Sequence, residues 1–288
     1  MPGSYMQRKG PGEINACTAL YAVLGNPVSH SLSPVMHNAA FRQAGYNGVY
    51  VALKVTDPET AVSSLKALGI AGASVTIPFK TDVIAYLDRL DPVAAAIGAV
   101  NTIVNRDGCL TGYNTDGSGA VRALAARVPL KNTRVAVVGA GGAAHAVSYA
   151  LIREGAHLVI ANRSAARGEL LAKRLAVDFV PLGDFGGGRY DVLINTTPVG
   201  MFPDMDAMPV DRAVLRPGMV VMDIVYNPLT TRLLRMARRI GCRAVNGVEM
   251  FVYQGAAQFE KWTRMPAPVE VMRSVVTTAL QKQVSRHD

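Results

Sequence analysis

Cysteine, tryptophan and charge are all scarce in this chain. Among 288 residues there are three cysteines and one tryptophan, and only 18% of the side chains are charged. Cys17, Cys109 and Cys242 lie far apart and form no CxxC pair. Such an odd, sparse set argues against a disulfide framework and for free thiols in a reducing compartment, which makes the cytoplasm the expected location. The five histidines show no HExxH or other ligand spacing, so no metal is expected. No apolar run reaches the roughly 20 residues of a membrane-spanning helix, so no membrane association is expected. One stretch has the outline of a secretory signal, with Arg8 and Lys9 ahead of Ala16 to Leu24. It runs into Gly25-Asn26-Pro27 without a small-residue cleavage site and reads better as a first strand.

Apolar residues, by contrast, make up half of the chain, enough for two ordinary domains with a core each and too many for disorder. The net charge of +9 would suit nucleic acid. However, Arg232, Arg235, Arg238 and Arg239 fall on the polar face of one amphipathic helix, and no recognition motif accompanies them, so no nucleic-acid partner is expected. A polyanionic cofactor would benefit from the same field.

Strand-like and helical segments alternate almost throughout. Leu20–Leu24, Val49–Val55, Ala73–Ile77 and Ala99–Val104 read as strands, and Pro34–Ala44, Thr60–Leu68 and Phe79–Asp88 as helices between them. This alternation predicts a largely parallel sheet covered by helices. Asp116–Arg127 reads as a helix leading out of the first unit. A second unit opens with Val135–Val138, a glycine-rich turn and a helix to about Glu154. Strand His157–Ala161, helix Ala165–Leu175, strands Val192–Asn195 and Val220–Val225, and helix Thr231–Ile240 follow. Gly186-Gly187-Gly188 reads as a loop. The tail, Glu249–Trp262 and Pro268–Gln283, reads as two helices that return to the first unit. The expected architecture is α/β with two domains. Residues 1–115, completed by 249–288, form a substrate-binding sheet domain, and 116–248 form a Rossmann-type domain, with a cleft between them.

The turn Gly139-Ala140-Gly141-Gly142-Ala143-Ala144 follows a strand of β-branched and small residues and opens a helix. This is the setting that a dinucleotide pyrophosphate needs. Glycines allow the tight turn and the close approach of the phosphates, and the helix N-terminus offers free N–H groups and a positive dipole end. The plainer reading is a glycine-rich turn with no ligand. The next strand ends in Asn162-Arg163-Ser164, with Arg167 four residues after Arg163, where NAD enzymes usually place an acid for the ribose hydroxyl. Two arginines on one helix face would instead match a 2′-phosphate. NADP is therefore expected over NAD, unless the arginines merely solvate a helix start.

In the first unit, small polar side chains gather at strand ends, where open α/β sheets bind ligands. Ser33 before Pro34 fits either a helix N-cap or a substrate contact. Ser31 has no such structural duty and is the better contact. Thr76 could be an ordinary strand residue, Asn101 a turn-former and Asp116 a helix cap. Lys80 is harder to explain structurally. It falls in the first turn of the expected helix from Pro78, where the macrodipole disfavours a cation by about 0.3–1 kcal/mol. A lysine held there, with Asp116 as a partner, would suit proton delivery to a carbonyl that receives a hydride.

These segments together resemble the shikimate dehydrogenase family. The resemblance is carried by Gly25-Asn26-Pro27-Val28-Ser29-His30-Ser31-Leu32-Ser33-Pro34, Val75-Thr76-Ile77-Pro78-Phe79-Lys80, Gly98-Ala99-Val100-Asn101-Thr102 and Asn114-Thr115-Asp116-Gly117. It continues in Gly139–Ala144, Asn162-Arg163-Ser164, Asp223-x-x-Tyr226-x-Pro228 and Gln254-Gly255-Ala256-x-x-Phe259-Glu260-x-Trp262. These runs occur in family order from about Tyr21 to Trp262.

The resemblance implies reversible, NADP-linked reduction of 3-dehydroshikimate to shikimate, on the route to chorismate and the aromatic amino acids. On the matching positions it makes Lys80 and Asp116 the catalytic pair. Ser31 and Ser33, helped by Tyr226, would hold the substrate carboxylate, and Thr76, Asn101 and Gln254 would contact the ring and its hydroxyls. Thr197, Ile224 and Gly247 join the cofactor contacts. The implied partner is the small-molecule substrate, with the chain a monomer or homodimer. A carboxylate held by hydroxyls agrees with the local composition, because Arg42 is the only Arg or Lys between Leu20 and Leu53. Two positions depart from the family pattern. Ser74 stands where Asn usually precedes Val-Thr-Ile-Pro, and Arg264 stands near a common glycine. The competing readings are a quinate/shikimate dehydrogenase of broader substrate range or NAD use, and a non-catalytic NADP-binding sensor.

Overall fold

The computed structural model describes residues 13–186 and 189–284. Arg8 and Lys9 of the signal-like stretch, and Gly187 and Gly188 of the expected loop, lie outside them. The chain divides into two compact units, one formed by residues up to 114 with 255–276 and the other by 115–254 with 277 onward.

The first unit is built on strands β1 (Ala19–Gly25), β2 (Gly48–Lys54), β3 (Gly72–Val75), β4 (Arg89–Leu90), β5 (Thr102–Arg106) and β6 (Cys109–Tyr113). They form one sheet in the order β2-β1-β3-β5-β6-β4. Strands β1, β2 and β3 are parallel, but β5 runs antiparallel to both β3 and β6. With β4 parallel to β6, five of the six strands run the same way, so the sheet is largely parallel as expected and β5 alone is reversed. A two-residue connection, Asp107-Gly108, both with positive φ, folds β5 back on β6 as a hairpin, so no crossover helix is needed.

Helices α1 (Ser33–Gln43), α2 (Pro58–Ala67) and α3 (Pro92–Ile97) cover this sheet. Asp57 and Asp91 start α2 and α3 by accepting backbone N–H groups of the first turn, and a proline follows each as the first helical residue. On one face Ala22, Leu24 and Val75 pack with Val62 and Leu65 of α2 and Ala94 of α3. On the other, Tyr21 packs at a tilt against Phe41 of α1 and Trp262, with ring centroids 5.1 and 5.2 Å away. The segment Phe79–Asp88, expected as a helix, is instead a turn followed by a short 3-10 segment, Asp82–Tyr86.

The second unit contains β7 (Arg134–Val138), β8 (His157–Asn162), β9 (Asp178–Pro181), β10 (Val192–Asn195), β11 (Val220–Asp223) and β12 (Arg243–Val245). All pair in parallel, in the order β12-β11-β10-β7-β8-β9. This is the doubly wound dinucleotide-binding order, which reverses beside β7 and leaves a crevice at the carboxyl ends there. Val135 and Val137 of β7 face a core shared with α4 (Asp116–Ala125), α5 (Gly142–Arg153) and α6 (Ala165–Leu175). Ala136 and Val138 face the opposite core, which contains Leu233, Leu234 and Ala237 of α7 (Arg232–Ile240). Arg232, Arg235, Arg238 and Arg239 occupy the exposed side of α7.

Helices α8 (Gly247–Thr263) and α9 (Val269–Val284) end the described chain. In the first unit, Gly255 of α8 lies so close to Met36 that a β-carbon would collide with the thioether. Trp262 is buried and its indole N–H donates to the Ile103 carbonyl at 2.9 Å. Strands β4, β6, β9 and β12 and helix α3 have no counterpart in the sequence-based reading. The strands are short, and β9 and β12 are the outermost of their sheet.

Candidate active site

The glycine turn has the geometry that a pyrophosphate requires. Gly139 leaves β7 with φ +121°, and a β-carbon there would strike Thr196 Oγ1. Gly141, the N-cap of α5, carries no side-chain cap. Built β-carbons on Gly141 and Gly142 would meet nothing within 4 Å, so the turn is bordered by open space and the first-turn N–H groups have no capping side chain. Ala144, in place of a third glycine, is buried in the helix–sheet core. A dinucleotide phosphate fits this arrangement of donors, dipole and space.

The loops that follow the neighbouring strands are pinned to this turn. Thr196 donates through its hydroxyl to the Val138 carbonyl at 2.7 Å, and Thr197 donates through both its N–H and its hydroxyl to Asn195 Oδ1. Asp223, fully buried at the end of β11, accepts from Asn195 Nδ2 at 2.9 Å, Val225 N–H and the Thr231 hydroxyl. Burial pushes its carboxyl up to about 6, against the opposing pull of these donors. Ile224 follows directly. Gly247 opens α8 where a β-carbon would lie 2.5 Å from the carbonyl oxygens of Ile224 and Val225. The sequence reading gave Asp223 no role, although a lone acid ending the apolar run Val220–Met222 was a signal for one.

At the end of β8, Asn162 Nδ2 donates to the Ser164 carbonyl at 2.8 Å, and Ser164 is the N-cap of α6. Arg163 and Arg167 are exposed. Arg163 precedes the helix, so the expected shared helical face does not exist. The two guanidinium groups instead flank the start of α6, one before it and one in its first turn. No acid stands between Asn162 and Arg167 to repel a phosphate.

In the first unit, Ser31, Thr76, Lys80 and Asn101 are drawn to one edge of the sheet. Thr76 N–H donates to the Leu24 carbonyl at 2.9 Å and Asn26 N–H to the Ile77 carbonyl at 3.1 Å, which joins the loops after β1 and β3. Because β5 runs against β3, its start lies at the same edge, and Val75 N–H donates to the Asn101 carbonyl at 2.8 Å. Val100 N–H donates to the Lys80 carbonyl at 2.7 Å. Lys80 thus sits in a turn rather than a helix, and the macrodipole argument for it lapses. Its place is fixed by the backbone bond to the residue beside Asn101.

The expected capping role of Ser33 does not hold, and Ser31 has a structural bond that was not expected. Leu32, not Ser33, occupies the α1 N-cap, without a side-chain cap. Ser31 Oγ accepts the Ser33 N–H at 3.3 Å, so Ser31 does have a structural duty. Ser33 is buried, and its side chain lowers the Tyr50 phenol against the larger upward push of burial. Ser74, the departure from the family pattern, is buried too, accepting from the Tyr50 hydroxyl at 2.6 Å and donating to Gln258 Oε1 at 2.8 Å.

The remaining candidates belong to the second unit. Asp116, buried, is the first residue of α4, with Thr115 rather than Asp116 at the N-cap. One turn further on, a β-carbon on Gly119 would lie 2.8 Å from Gln254 N, so α4 and α8 pack backbone to backbone. Gln254 Nε2 donates to the Phe251 carbonyl at 2.8 Å. The Tyr226 ring lies 4.8 Å from that of Phe251, and burial raises its phenol. Among the described residues, no group of three or more His, Cys, Asp or Glu is arranged to hold a metal.

Three family models match the chain. They describe the shikimate dehydrogenase substrate binding domain at residues 23–103, shikimate/quinate 5-dehydrogenase at 122–200, and the shikimate 5′-dehydrogenase C-terminal domain at 247–277. A solved shikimate dehydrogenase in complex with NADP+ superposes with a TM-score of 0.90 at 43% identity, covering 94% of this chain and 98% of that one. The Thermus thermophilus shikimate 5-dehydrogenase, solved with NADP(H) and shikimate, gives 0.85 at 36% identity, covering 91% of this chain and all of that one. The NADP(+) shikimate dehydrogenase of Moorella thermoacetica is 50% identical over 282 residues, 93% of this chain and 96% of its own. Agreement of this extent exceeds what a shared doubly wound fold produces, and the chain belongs to the shikimate dehydrogenase family.

Proposed function

We propose that this chain is an NADP-dependent shikimate dehydrogenase, reversibly reducing 3-dehydroshikimate to shikimate on the route to chorismate and the aromatic amino acids. The observation that carries this reading is the pairing of an uncapped, open glycine turn with an acid-free strand end flanked by Arg163 and Arg167. The first unit is the substrate-binding domain and the second the cofactor domain. NADPH, when bound, supplies the hydride. Gly139–Ala144 hold its pyrophosphate, and Asn162, Arg163, Ser164 and Arg167 hold the adenosine end with its 2′-phosphate. Thr197, Ile224 and Gly247 line the remainder of that site.

Lys80 and Asp116 form the acid–base pair. Lys80 Nζ delivers a proton to the substrate oxygen as the carbonyl is reduced and takes it back in the reverse direction, and its cationic form stabilises the developing negative charge. Asp116 is the carboxylate member of the pair. Ser31 and Ser33, with Tyr226, hold the carboxylate. Thr76, Asn101 and Gln254 pair with the ring hydroxyls, so a ring lacking those hydroxyls would leave buried polar groups unmatched. Cys17, Cys109 and Cys242 are all free, which supports a cytoplasmic setting, and the acting species is a monomer or homodimer.

The test is a paired assay of shikimate and quinate, each with NADP+ and NAD+. The expected result is a kcat/KM for shikimate with NADP+ at least tenfold above the other three combinations. Quinate with NAD+ at equal or better efficiency would replace this reading with the broader quinate/shikimate one. No turnover with any pair would leave a cofactor-binding sensor.

A further inference from the structure

Gln258, so far met only as the acceptor from Ser74, connects two side chains assigned to the substrate. Gln258, buried on α8, donates through Nε2 to the main-chain carbonyl of Asn101 and to Thr102 Oγ1, both at 3.1 Å. A carbonyl can only accept, so this contact fixes which end of the amide faces Asn101. Oε1 therefore points the other way, and it too can only accept. Ser74, at 2.8 Å, must donate to it. With its own proton committed, Ser74 accepts from the Tyr50 hydroxyl at 2.6 Å. The Tyr50 proton is thereby committed as well, so toward Ser33, whose side chain influences its phenol, Tyr50 can only accept. Every donor direction in this branch follows from one peptide carbonyl.

The second branch is shorter. Thr102 Oγ1 accepts from Gln258 and so donates to Asn101 Oδ1 at 2.7 Å. This turns the Asn101 oxygen toward Thr102 and its amide nitrogen away. His37 adds a brace. Its Nε2 lies 3.3 Å from Gln258 Oε1 and must carry the proton there, while its ring stacks on Tyr50 at 4.6 Å. Buried Nδ1 has no hydrogen-bond partner among the described residues, and burial lowers His37 to about 3, so it stays neutral.

We propose that Gln258 is a positioning residue for substrate binding, acting through Ser74 and Tyr50 on Ser33 and through Thr102 on Asn101. It sets the orientation in which each terminal group meets a polyhydroxylated carboxylic acid. The inference rests on the reading that Ser33 and Asn101 contact the substrate.

Calorimetric titration of Gln258→Met, which keeps the volume and removes the amide, tests it. Shikimate Kd is expected to rise tenfold or more, while the Kd for NADP+ stays within twofold of wild type. In an S33A/N101A background the same substitution is expected to add less than twofold. An unchanged shikimate Kd, or an equal further loss in that background, overturns the proposal. If S33A/N101A itself binds shikimate as wild type does, the substrate-site reading falls and takes this inference with it, a result distinct from failure at Gln258 alone. Should Gln258→Met fail to fold, Ser74→Ala cuts only the first branch. Its expected loss of at least threefold in shikimate affinity should vanish in S33A and persist in N101A; persistence in both overturns the proposal.

Discussion

Gly139 and Thr196 stand so close that a β-carbon on the glycine would overlap the threonine hydroxyl, which is itself held by the Val138 carbonyl at 2.7 Å. The start of the cofactor turn is thus fixed by the strand beside it, whereas Gly141 and Gly142 face open space. The fold itself demands the first glycine, whereas the other two leave room that a ligand could use.

Gly139→Ala and Gly141→Ala should therefore separate. The first combines a clash with φ +121°, a conformation costing an alanine on the order of 1–3 kcal/mol, and should lower the melting temperature of the unliganded protein by several degrees. The second should leave melting within about a degree or two and raise KM for NADP+ tenfold or more. Equal melting losses in the two variants would contradict this division.

Replacing Arg163 and Arg167 by glutamine should weaken NADP+ selectively. Hydrogen bonds to a charged group are worth about 1.5–3 kcal/mol each, so KM for NADP+ should rise at least tenfold while KM for NAD+ changes less than about threefold. Parallel increases for both cofactors would show that the arginines do not read the 2′-phosphate.

Lys80→Ala should reduce kcat by roughly 100- to 10,000-fold, the usual weight of a general acid–base group. Shikimate Kd, measured by titration, should stay within several-fold. A kcat near that of wild type would remove Lys80 from the proton transfer.

Buried His37 should make the protein sensitive to acid. Its folded value of about 3 lies below the ordinary 6.5, so its contribution is present above about pH 6.5 and is lost as pH falls toward 3, at about 1.4 kcal/mol per unit. Asp223 has the opposite sign. Raised to about 6 from 3.8, its contribution is full below 3.8 and is lost as pH rises through 6. His37→Gln removes only the first effect. Between pH 7 and pH 4.5 the variant should lose less stability to urea than wild type does, and parallel loss in both would refute the assignment.

What could be read from the residues alone was whatever is local in the chain. The Gly139–Ala144 turn, the α6 and β10 boundaries and the arginine pattern of α7 all depend on neighbours a few residues away, as did the segments that resemble the shikimate dehydrogenase family. Only the tertiary structure reversed β5, placed Asn101 at the edge that carries Thr76, made Lys80 a turn residue, and gave Ser31 the supporting part and Ser33 the buried one. It also joined Gln258 to Ser74 and to Asn101 across 184 and 157 residues. The physical reason is that turns and helices follow from short-range sterics and periodicity. The partners of a buried hydroxyl or amide are instead chosen by whichever distant groups the packed sheet brings within about 3 Å.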